Sequence, residues 1–262
     1  MNGPVLAIDR LAKSYSPQGG GQVEALREVS FQVGRGEFVS IIGPSGCGKS
    51  TLLEIVGGLK SKGSGRVLLK GKEIDGVDPS VKTVFQEDTA LPWRTTLGNV
   101  ELGLEARGVP KKERRDKCLE MIRLVGLAGF EDRYPPELSG GMRQRVAIAR
   151  TLVLKPEVLL MDEPFGALDE QTRLLLGDEL LNIWAQLGQT ILFVTHSISE
   201  AVLLSDRVIV MTSRPGTIKD NLKVGVERPR RLGDERVSRL VQGIWEMLRD
   251  EVRSGVASSV PG

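Results

Sequence analysis

"FVSIIGPSGCGKSTLLEIVGGL", residues 38–59, decides the fold of this 262-residue chain. Its first five residues are apolar except for one serine, as in a strand that is buried on both faces of a sheet. The next nine, "GPSGCGKST" at 43–51, form a glycine-rich loop, and "LLEIVGGL" at 52–59 continues as a helix. This order predicts a phosphate-binding loop, because glycines let backbone N–H groups converge on an anion at the positive end of the helix dipole.

The loop matches the pattern G-x-x-x-x-G-K-[ST]. A lysine in this position can neutralise the β- and γ-phosphates of a nucleotide, and the following hydroxyl can ligate Mg²⁺. The sequence therefore predicts a nucleotide-binding P-loop with the candidate ligands Gly43, Pro44, Ser45, Gly46, Cys47, Gly48, Lys49, Ser50 and Thr51. Cys47 is either a small filler residue or a thiol that can be oxidised beside bound phosphate.

The charge balance argues against a nucleic-acid partner. The chain has 36 Lys and Arg residues against 34 Asp and Glu residues, for a net charge of +2, so it lacks a strongly basic character. Its apolar runs fall far short of the roughly 18 residues of a membrane-spanning helix. The start "MNGPVLAIDR" has no signal-peptide pattern, and the two cysteines form no zinc-binding pattern. We expect a reduced, cytosolic protein.

Hydrophobic patterning predicts an α/β protein. Besides 38–42, single strands are expected at 29–33, 65–74, 158–162, 191–195 and 207–211. Helices are expected within about 88–153, one of them beginning at Ser139 and another carrying Cys118, Met121, Ile122 and Val125 on its apolar face, and again at about 176–187 and 235–252. The chain should be one domain over 1–262, with an N-terminal antiparallel β subdomain, a helical subdomain at about 88–153, and a C-terminal helix and tail at about 215–262.

Two adjacent carboxylates follow a predicted buried strand in "VLLMDEP", residues 158–164. Ligands of α/β proteins bind at the carboxyl edge of the sheet, where Asp162 and Glu163 should lie. One carboxylate could then hold the metal ion while the other accepts a proton from attacking water. Alternatively, the acidic pair before Pro164 simply begins a turn.

A second candidate anion site lies in "LSGGMRQR", residues 138–145. Ser139 is a suitable N-cap, and two glycines expose backbone N–H groups at the start of the helix. Arg143 and Arg145 oppose the helix dipole there, which is unfavourable unless an anion binds at that end. The alternative is a capped helix with solvated arginines.

Together these stretches resemble the ATP-binding subunits of ABC transporters. "GPSGCGKST" and "VLLMDEP" are similar to their Walker A and Walker B motifs, and "LSGGMRQR" is similar to their signature sequence. "GALD" at 166–169 resembles the D-loop, "VFQED" the Q-loop through Gln86, "FVTHS" the switch histidine through His196, and "LAKSYS" the adenine-stacking aromatic through Tyr15. The resemblance covers roughly residues 5–215 and implies a RecA-like P-loop NTPase core with a helical insertion carrying the signature.

A narrower resemblance joins "VFQEDTALPWRTTLGNV" and "MDEPFGALDEQTR" to importers of nitrate, aliphatic sulfonates, taurine and related compounds. In this family the segment after the Q-loop helps to dock the membrane partner. An exposed Trp93 is therefore expected to be a docking anchor, although it could be an ordinary core or rim aromatic.

The resemblance also implies how the chain works. Two copies would face head to tail, with each ATP between the P-loop of one chain and Ser139, Gly140, Gly141 and Met142 of the other. Ser50, Gln86 and Asp162 would hold Mg²⁺, and Glu163, His196 and Gln86 would serve hydrolysis. Asp169 would organise the facing site. Transmembrane permease subunits would be direct partners, a substrate-binding protein an indirect one, and the location the cytoplasmic face of the membrane.

Three other classes of protein compete with this interpretation. A small-molecule kinase would share the Walker motifs but would not need the signature, the D-loop or the switch histidine. An ABC ATPase of DNA repair or translation would have long coiled-coil insertions or tandem cassettes, and an exporter would lack the importer-like segments. The basic stretch "ERPRRLGDER" at 227–236 could contact lipid headgroups or a partner, or be a solvated loop.

Overall fold

The computed structural model describes residues 3–16, 20–87 and 89–257, with side chains described up to residue 251. It forms two compact units: Met1–Asp78 with Gln189–Gly262, and Pro79–Gly188. Parallel strands with helices, an antiparallel sheet and a helical segment are all present, so the predicted α/β class is confirmed. Within the described ranges, no helix has both the length and the apolar character needed to cross a membrane.

The first unit contains an antiparallel sheet and a largely parallel one. Its strands are β1 (Leu6–Tyr15), β2 (Val23–Val33), β3 (Phe38–Ile42), β4 (Ser64–Leu69), β5 (Lys72–Glu73), β8 (Thr190–Val194), β9 (Arg207–Met211) and β10 (Ile218–Lys223). The antiparallel sheet has the order β2-β1-β4-β5. In the other, β3 lies between β8 and β9 and pairs with both in parallel, while β10 pairs antiparallel with β9. Its helices are α1 (Lys49–Val56), α6 (Ile198–Leu204) and α7 (Glu235–Ala257).

Two details of the first unit differ from the sequence prediction. The expected single strand at 65–74 is a hairpin, because Lys70 and Gly71 both take positive φ (51° and 78°) and form a two-residue turn between paired Leu69 and Lys72. The strand β10 was not predicted, because its side chains alternate only between partly buried and exposed. The composition of "SPQGGGQ", residues 16–22, predicts a flexible hairpin tip between β1 and β2, and residues 17–19 of it lie outside the described residues.

The second unit carries the predicted helices. It contains β6 (Val81–Val84) and β7 (Val158–Asp162), which pair in parallel, and α2 (Thr96–Ala106), α3 (Lys111–Leu124), α4 (Gly140–Leu152) and α5 (Glu170–Leu187). The prediction that Cys118, Met121, Ile122 and Val125 face the core is confirmed, since all four are buried. Burial raises the pKa of the Cys118 thiol to about 12. Gly188 ends α5 with φ 61°, as a glycine directly after the apolar stripe of the predicted helix indicates.

Helix α7 covers one side of the first unit. Val237, Ile244 and Leu248 are buried against Ala201 and Val202 of α6 and the apolar side chains of β9. The helix begins at Glu235 as predicted and continues to Ala257, five residues beyond its expected end at 252, while residues 258–262 of the expected tail lie outside the described part.

The basic stretch at 227–236 turns two of its arginines inward. Arg230 donates hydrogen bonds to the carbonyls of Val202 and Ser205, both 2.6–2.7 Å away, at the carboxyl end of α6. Arg228 binds the Asp206 carboxylate at 2.6 Å. Because both guanidinium groups are partly buried and hydrogen-bonded to the end of α6 and to Asp206, these two residues are neither a lipid site nor fully solvated. Burial also lowers the pKa of Arg230 to about 10.

Candidate functional site

The P-loop and the histidine segment follow neighbouring strands of the first unit. In the parallel pair of β3 and β8, Ile41 lies opposite Val194, so the two strands end at the same edge. The Thr195 N–H continues the pairing by donating to the Ile41 carbonyl at 3.2 Å. The P-loop begins one residue after β3, and His196 lies two residues after β8. The sheet therefore brings the predicted phosphate loop and the predicted switch histidine to one edge.

The P-loop encloses its lysine. Lys49 is 7% exposed, and its Nζ donates to the carbonyls of Gly43 at 2.8 Å and Pro44 at 3.1 Å. Helix α1 starts directly at this residue, and its N-cap, Gly48, supplies no side-chain hydrogen bond. The positive charge of the lysine and the first N–H groups of the helix are thus concentrated on one short loop.

The backbone of this loop demands glycine. Gly48 has φ 100°, and a Cβ built there would lie 2.7 Å from Leu26 Cδ2 and 2.9 Å from the Ala25 carbonyl. The β2 strand therefore packs directly against the loop.

Cys47 is buried at 1% exposure, and burial raises the pKa of its thiol, which favours the small-filler interpretation over the reactive one.

Tyr15 lies at the end of β1 and is connected to α1. Its hydroxyl shares a hydrogen bond of 3.2 Å with Thr51 Oγ1. The ammonium groups of Lys13 and Lys60 lie 5.4 and 5.7 Å from the centre of its ring, within the range of a cation–π contact. The aromatic ring predicted to stack on adenine is therefore fixed to the same helix that begins in the P-loop.

His196 is exposed on a short connection whose two sides are hydrogen-bonded. The Ser197 N–H donates to Thr195 Oγ1 at 2.9 Å, and Ser197 caps α6 by accepting from the Glu200 N–H at 3.3 Å. Thr195 also bonds to the buried Glu200 carboxylate. These bonds hold the backbone on both sides of the imidazole and leave its side chain at the surface.

In the second unit, the Q-loop and the acidic motif share an edge. Val84 of β6 lies opposite Met161 of β7, so Gln86 and Glu163 follow strands that end together. A Cβ built on Gly166 would lie 3.4 Å from Gln86 Nε2 and 3.3 Å from the Glu163 carbonyl. The Gly166 N–H donates to that carbonyl at 3.0 Å. A tight turn with no side chain at Gly166 lets the glutamine reach the acidic segment.

The backbone of Glu163 is in the left-handed region, with φ 45°. A non-glycine residue there costs roughly 1 kcal/mol or more, and such strain concentrates at functional sites. Asp162 is the last residue of β7 and, like Glu163, is partly exposed. The alternative in which the pair merely begins a turn does not explain a strained glutamate at a strand end.

The signature and the D-loop pack against each other. Ser139 caps α4 by accepting from the Met142 N–H at 3.3 Å, as predicted. A Cβ on Gly140 would lie 3.3 Å from Leu168 Cδ2, and one on Gly141 would lie 3.2 Å from Thr172 Cγ2. Asp169, the predicted D-loop residue, caps α5 with both carboxylate oxygens, accepting from the Thr172 N–H at 2.9 Å and its hydroxyl at 2.7 Å. These hydrogen bonds lower the pKa of Asp169.

The signature arginines have partners within the second unit. Arg143 donates to the Leu138 carbonyl at 2.8 Å, and Arg145 pairs with Glu179 of α5 at 2.8 Å. Both arginines therefore have acceptors without a bound anion, so their presence alone does not indicate an anion site. The anion site predicted at this helix rests on its backbone N–H groups alone.

Trp93 is 71% exposed on a loop that is held from beneath. Asn99, fully buried, donates to the carbonyls of Leu91, Arg94 and Thr95 at 3.0–3.1 Å and accepts from the Leu91 N–H at 2.7 Å. The amide group of Asn99 therefore holds the backbone on both sides of Trp93, while the indole itself is exposed.

Sequence reasoning missed two residues that organise the second unit. Asn99 could have been noticed as an amide among the apolar residues of "TLGNVELGL". Arg150, near the end of α4, donates to the Thr89 carbonyl at 2.7 Å and so joins the signature helix to the segment after Gln86. Burial lowers the pKa of Arg150. Its position directly after the buried apolar run from Val146 to Ala149 was the only signal.

Comparison with known proteins agrees with this arrangement. The profile of the ABC transporter family matches residues 26–166. An uncharacterised ABC transporter ATP-binding protein of Methanocaldococcus jannaschii is 51% identical over 94% of this chain and 92% of its own length. The taurine import ATP-binding protein TauB of Rhizobium johnstonii is 42% identical over 95% of each chain. The aliphatic sulfonates import ATP-binding protein SsuB of Bacillus thuringiensis subsp. konkukian is 45% identical over 86% of this chain and 88% of its own.

A solved structure shows the same fold. A dimeric bacterial ABC transporter cassette superposes with a TM-score of 0.74 and 34% identity, over 85% of this chain and all of that one. The family profile spans more than half of the sequence, and relatives match nearly all of it. The chain belongs to the ABC transporter family.

Proposed function

We propose that the chain is the ATP-hydrolysing subunit of a membrane ABC importer. The observation that carries the proposal is the presence of two separate helix starts suited to phosphate: α1 behind the P-loop and α4 behind Ser139. A small-molecule kinase needs only the first of them. The relatives named for taurine and sulfonate import support the direction of transport.

ATP would bind along the edge of the first unit. The P-loop N–H groups and Lys49 would hold the phosphates, with all residues from Gly43 to Thr51 in contact with the nucleotide, and the Tyr15 ring would stack on adenine. The hydrogen bond between Tyr15 and Thr51 supports this arrangement, because it fixes the distance between the base-stacking ring and the phosphate loop.

The residues proposed for Mg²⁺ fit its chemistry. Ser50, Gln86 and Asp162 offer a hydroxyl, an amide oxygen and a carboxylate, and Mg²⁺ prefers oxygen ligands. When bound, the ion would neutralise charge on the β- and γ-phosphates.

Hydrolysis would depend on Glu163 as the acceptor of a proton from the attacking water. The water oxygen would form a bond to the γ-phosphorus as the bond to the β-phosphate oxygen breaks, leaving ADP and inorganic phosphate. Gln86, which lies beside the acidic segment, would respond to the presence of the γ-phosphate. His196 would donate a hydrogen bond to an oxygen of the γ-phosphate.

The active assembly would be a head-to-tail homodimer of the chain. Ser139, Gly140, Gly141 and Met142 of one chain would contact the γ-phosphate bound by the other, and Asp169 would organise that facing site. The dimeric arrangement of the related cassette supports this assembly. A two-fold axis would make the two ATP sites equivalent.

The membrane partners would be two permease subunits, and the Trp93 indole of each chain would bind to one of them. A substrate-binding protein would deliver the transported compound to the permease. The chain would then be peripheral, on the cytoplasmic face of the membrane. The substrate would be nitrate, an aliphatic sulfonate, taurine or a related small compound, as the relatives named for taurine and sulfonate import suggest.

Two experiments test the proposal. Purified chain should release inorganic phosphate from Mg-ATP and shift from monomer to dimer with ATP, but not with ADP, in multi-angle light scattering. Transfer of phosphate to an acceptor without dimerisation would favour the kinase alternative. Cells that lack the chain should lose growth on a sulfonate, on taurine or on nitrate as the sole sulfur or nitrogen source, and normal growth on all three would reject this substrate class.

A further inference from the structure

A turn after β9 packs against the back of the P-loop. A Cβ built on Gly216 would lie only 2.0 Å from the Cys47 carbonyl, so the two backbones are in direct contact. The Gly216 N–H donates to the Ala25 carbonyl at 2.9 Å, which ties the turn to β2 as well. In this turn, Arg214 donates to the carbonyl of Gly46 from both Nε at 3.2 Å and Nη2 at 3.1 Å.

The Gly46 carbonyl is a sensitive point of the loop. Gly46 has φ 76°, and glycine permits its peptide to turn over more easily than any other residue. Because the peptide unit is planar and trans, holding this carbonyl toward Arg214 directs the Cys47 N–H to the opposite side. On that side the Cys47 N–H donates a hydrogen bond to the Pro44 carbonyl at 3.3 Å, which stabilises this conformation of the loop. A reversed peptide would direct a carbonyl oxygen toward a phosphate, which is repulsive.

The turn that carries Arg214 is itself held by α7. Glu251 accepts from the Ser213 N–H at 2.9 Å and its hydroxyl at 3.2 Å, and Lys219 pairs with the same carboxylate at 2.7 Å. Partial burial acts to raise the pKa of Glu251, but these hydrogen bonds outweigh it and lower the pKa. The guanidinium of Arg214 therefore extends from a supported backbone.

The charge of Arg214 also acts within the loop. Burial raises the pKa of Cys47, and the positive charges of Lys49 and Arg214 act in the opposite direction. Arg214 is thus a second cation beside the loop, in addition to Lys49.

We propose that Arg214 is a positioning residue for nucleotide binding: it holds the Gly46 carbonyl outside the P-loop so that the loop presents N–H groups to the phosphates. This inference rests on the proposed nucleotide function. It assigns a role in the ATP site to a residue that lies 165 positions beyond Lys49 and outside the motifs of the site.

The test compares binding of the fluorescent nucleotide MANT-ATP by four forms of the full chain: the parent, Arg214→Ala, Arg214→Lys and Arg239→Ala. Arg239 is a matched control, since it is a surface arginine paired with Glu235 on α7. We expect about tenfold weaker binding for Arg214→Ala, the size of one charge-assisted hydrogen bond, a smaller loss for Arg214→Lys, and none for Arg239→Ala. Millimolar guanidinium should recover part of the loss in Arg214→Ala only.

The outcomes separate this inference from the proposed function. If the parent binds MANT-ATP and Arg214→Ala binds equally well, the role of Arg214 is rejected and the function stands. It is also rejected if Arg214→Lys is as weak as Arg214→Ala and guanidinium recovers nothing. If the parent itself does not bind, the proposed function fails and this inference fails with it. Circular dichroism checks that each variant is folded, and the lysine variant carries the test if the alanine variant is not.

Discussion

Gly141 and Thr172 are packed so closely that a Cβ on the glycine would lie 3.2 Å from the threonine Cγ2. Since Asp169 holds Thr172 by its N–H and its hydroxyl, the methyl group cannot easily turn away. The start of the signature helix thus lies directly against the first turn of α5, beside the close approach of Gly140 to Leu168 of the D-loop.

We expect Gly141→Ala to weaken ATP-dependent dimerisation and phosphate release, because the added methyl group shifts α4 relative to the D-loop. Thr172→Ser removes the opposing methyl group and keeps the hydroxyl that Asp169 binds, so the double variant should recover dimerisation. Light scattering with ATP measures both. Equal dimerisation by Gly141→Ala and the parent would show that this contact does not control the interface.

Glu163→Gln should bind ATP like the parent, but its rate of phosphate release should fall by a factor of about a hundred or more, because the amide cannot accept the proton from water. It should also accumulate as a dimer with ATP. Glu120→Gln, on the exposed face of α3, is the matched control and should be unchanged. Parental turnover in Glu163→Gln would remove this residue from the proposed chemistry.

His196→Ala should lose both ATP-dependent dimerisation and turnover, since the imidazole is expected to contact the γ-phosphate that joins the two chains. Its thermal unfolding should change little, because the side chain is exposed. Loss of turnover with intact dimerisation would instead assign the imidazole to the hydrolytic step alone.

Asn99→Leu should lower the free energy of unfolding by about 2–4 kcal/mol, because a buried N–H and several carbonyls of the Trp93 loop lose their partner. Urea unfolding measures this change. Trp93→Ala is its counterpart: the exposed indole should add no more than about 0.5 kcal/mol to stability, and its loss should reduce co-purification with the permease. Normal co-purification of Trp93→Ala would place the docking site elsewhere.

Arg230→Ala should destabilise the first unit by on the order of 2 kcal/mol, because the carbonyls at the end of α6 lose a half-buried donor. Its neighbour Arg231 is exposed, and Arg231→Ala should be neutral. Thermal unfolding of the two variants, one residue apart, distinguishes an internal cap from a solvated basic loop.

The sequence was most informative where one local rule decides the structure. The buried strand and the glycine-rich loop follow from residue type alone, whereas the helix expected at 52–59 begins three residues earlier, at Lys49, and ends at Val56. Ser139 marks the start of α4 and Gly188 the end of α5 by capping chemistry. The apolar face of α3 follows from its helical period. These features depend only on near neighbours in the chain.

Features that depend on distant contacts could not be predicted. The partners of Arg145 and Arg230 lie 34 and 25 residues away in the chain, so solvated arginines and inward-turned ones have the same local pattern. The same holds for Arg214, whose acceptor is 168 residues away. The hairpin at 65–74 was missed for a different reason: its turn is only two residues long, and the second strand, Lys72–Glu73, is too short to show a pattern of its own.

The left-handed backbone at Glu163 lowers the stability of the chain at a residue whose side chain is proposed to be needed for ATP hydrolysis. Glycine would relieve this conformation, and asparagine accepts it more readily than glutamate does. If variants are selected repeatedly for thermal stability alone, Glu163 should therefore be replaced early, and the resulting proteins should be more stable but should no longer hydrolyse ATP. A library screened for both properties should retain glutamate and gain its heat resistance at other positions.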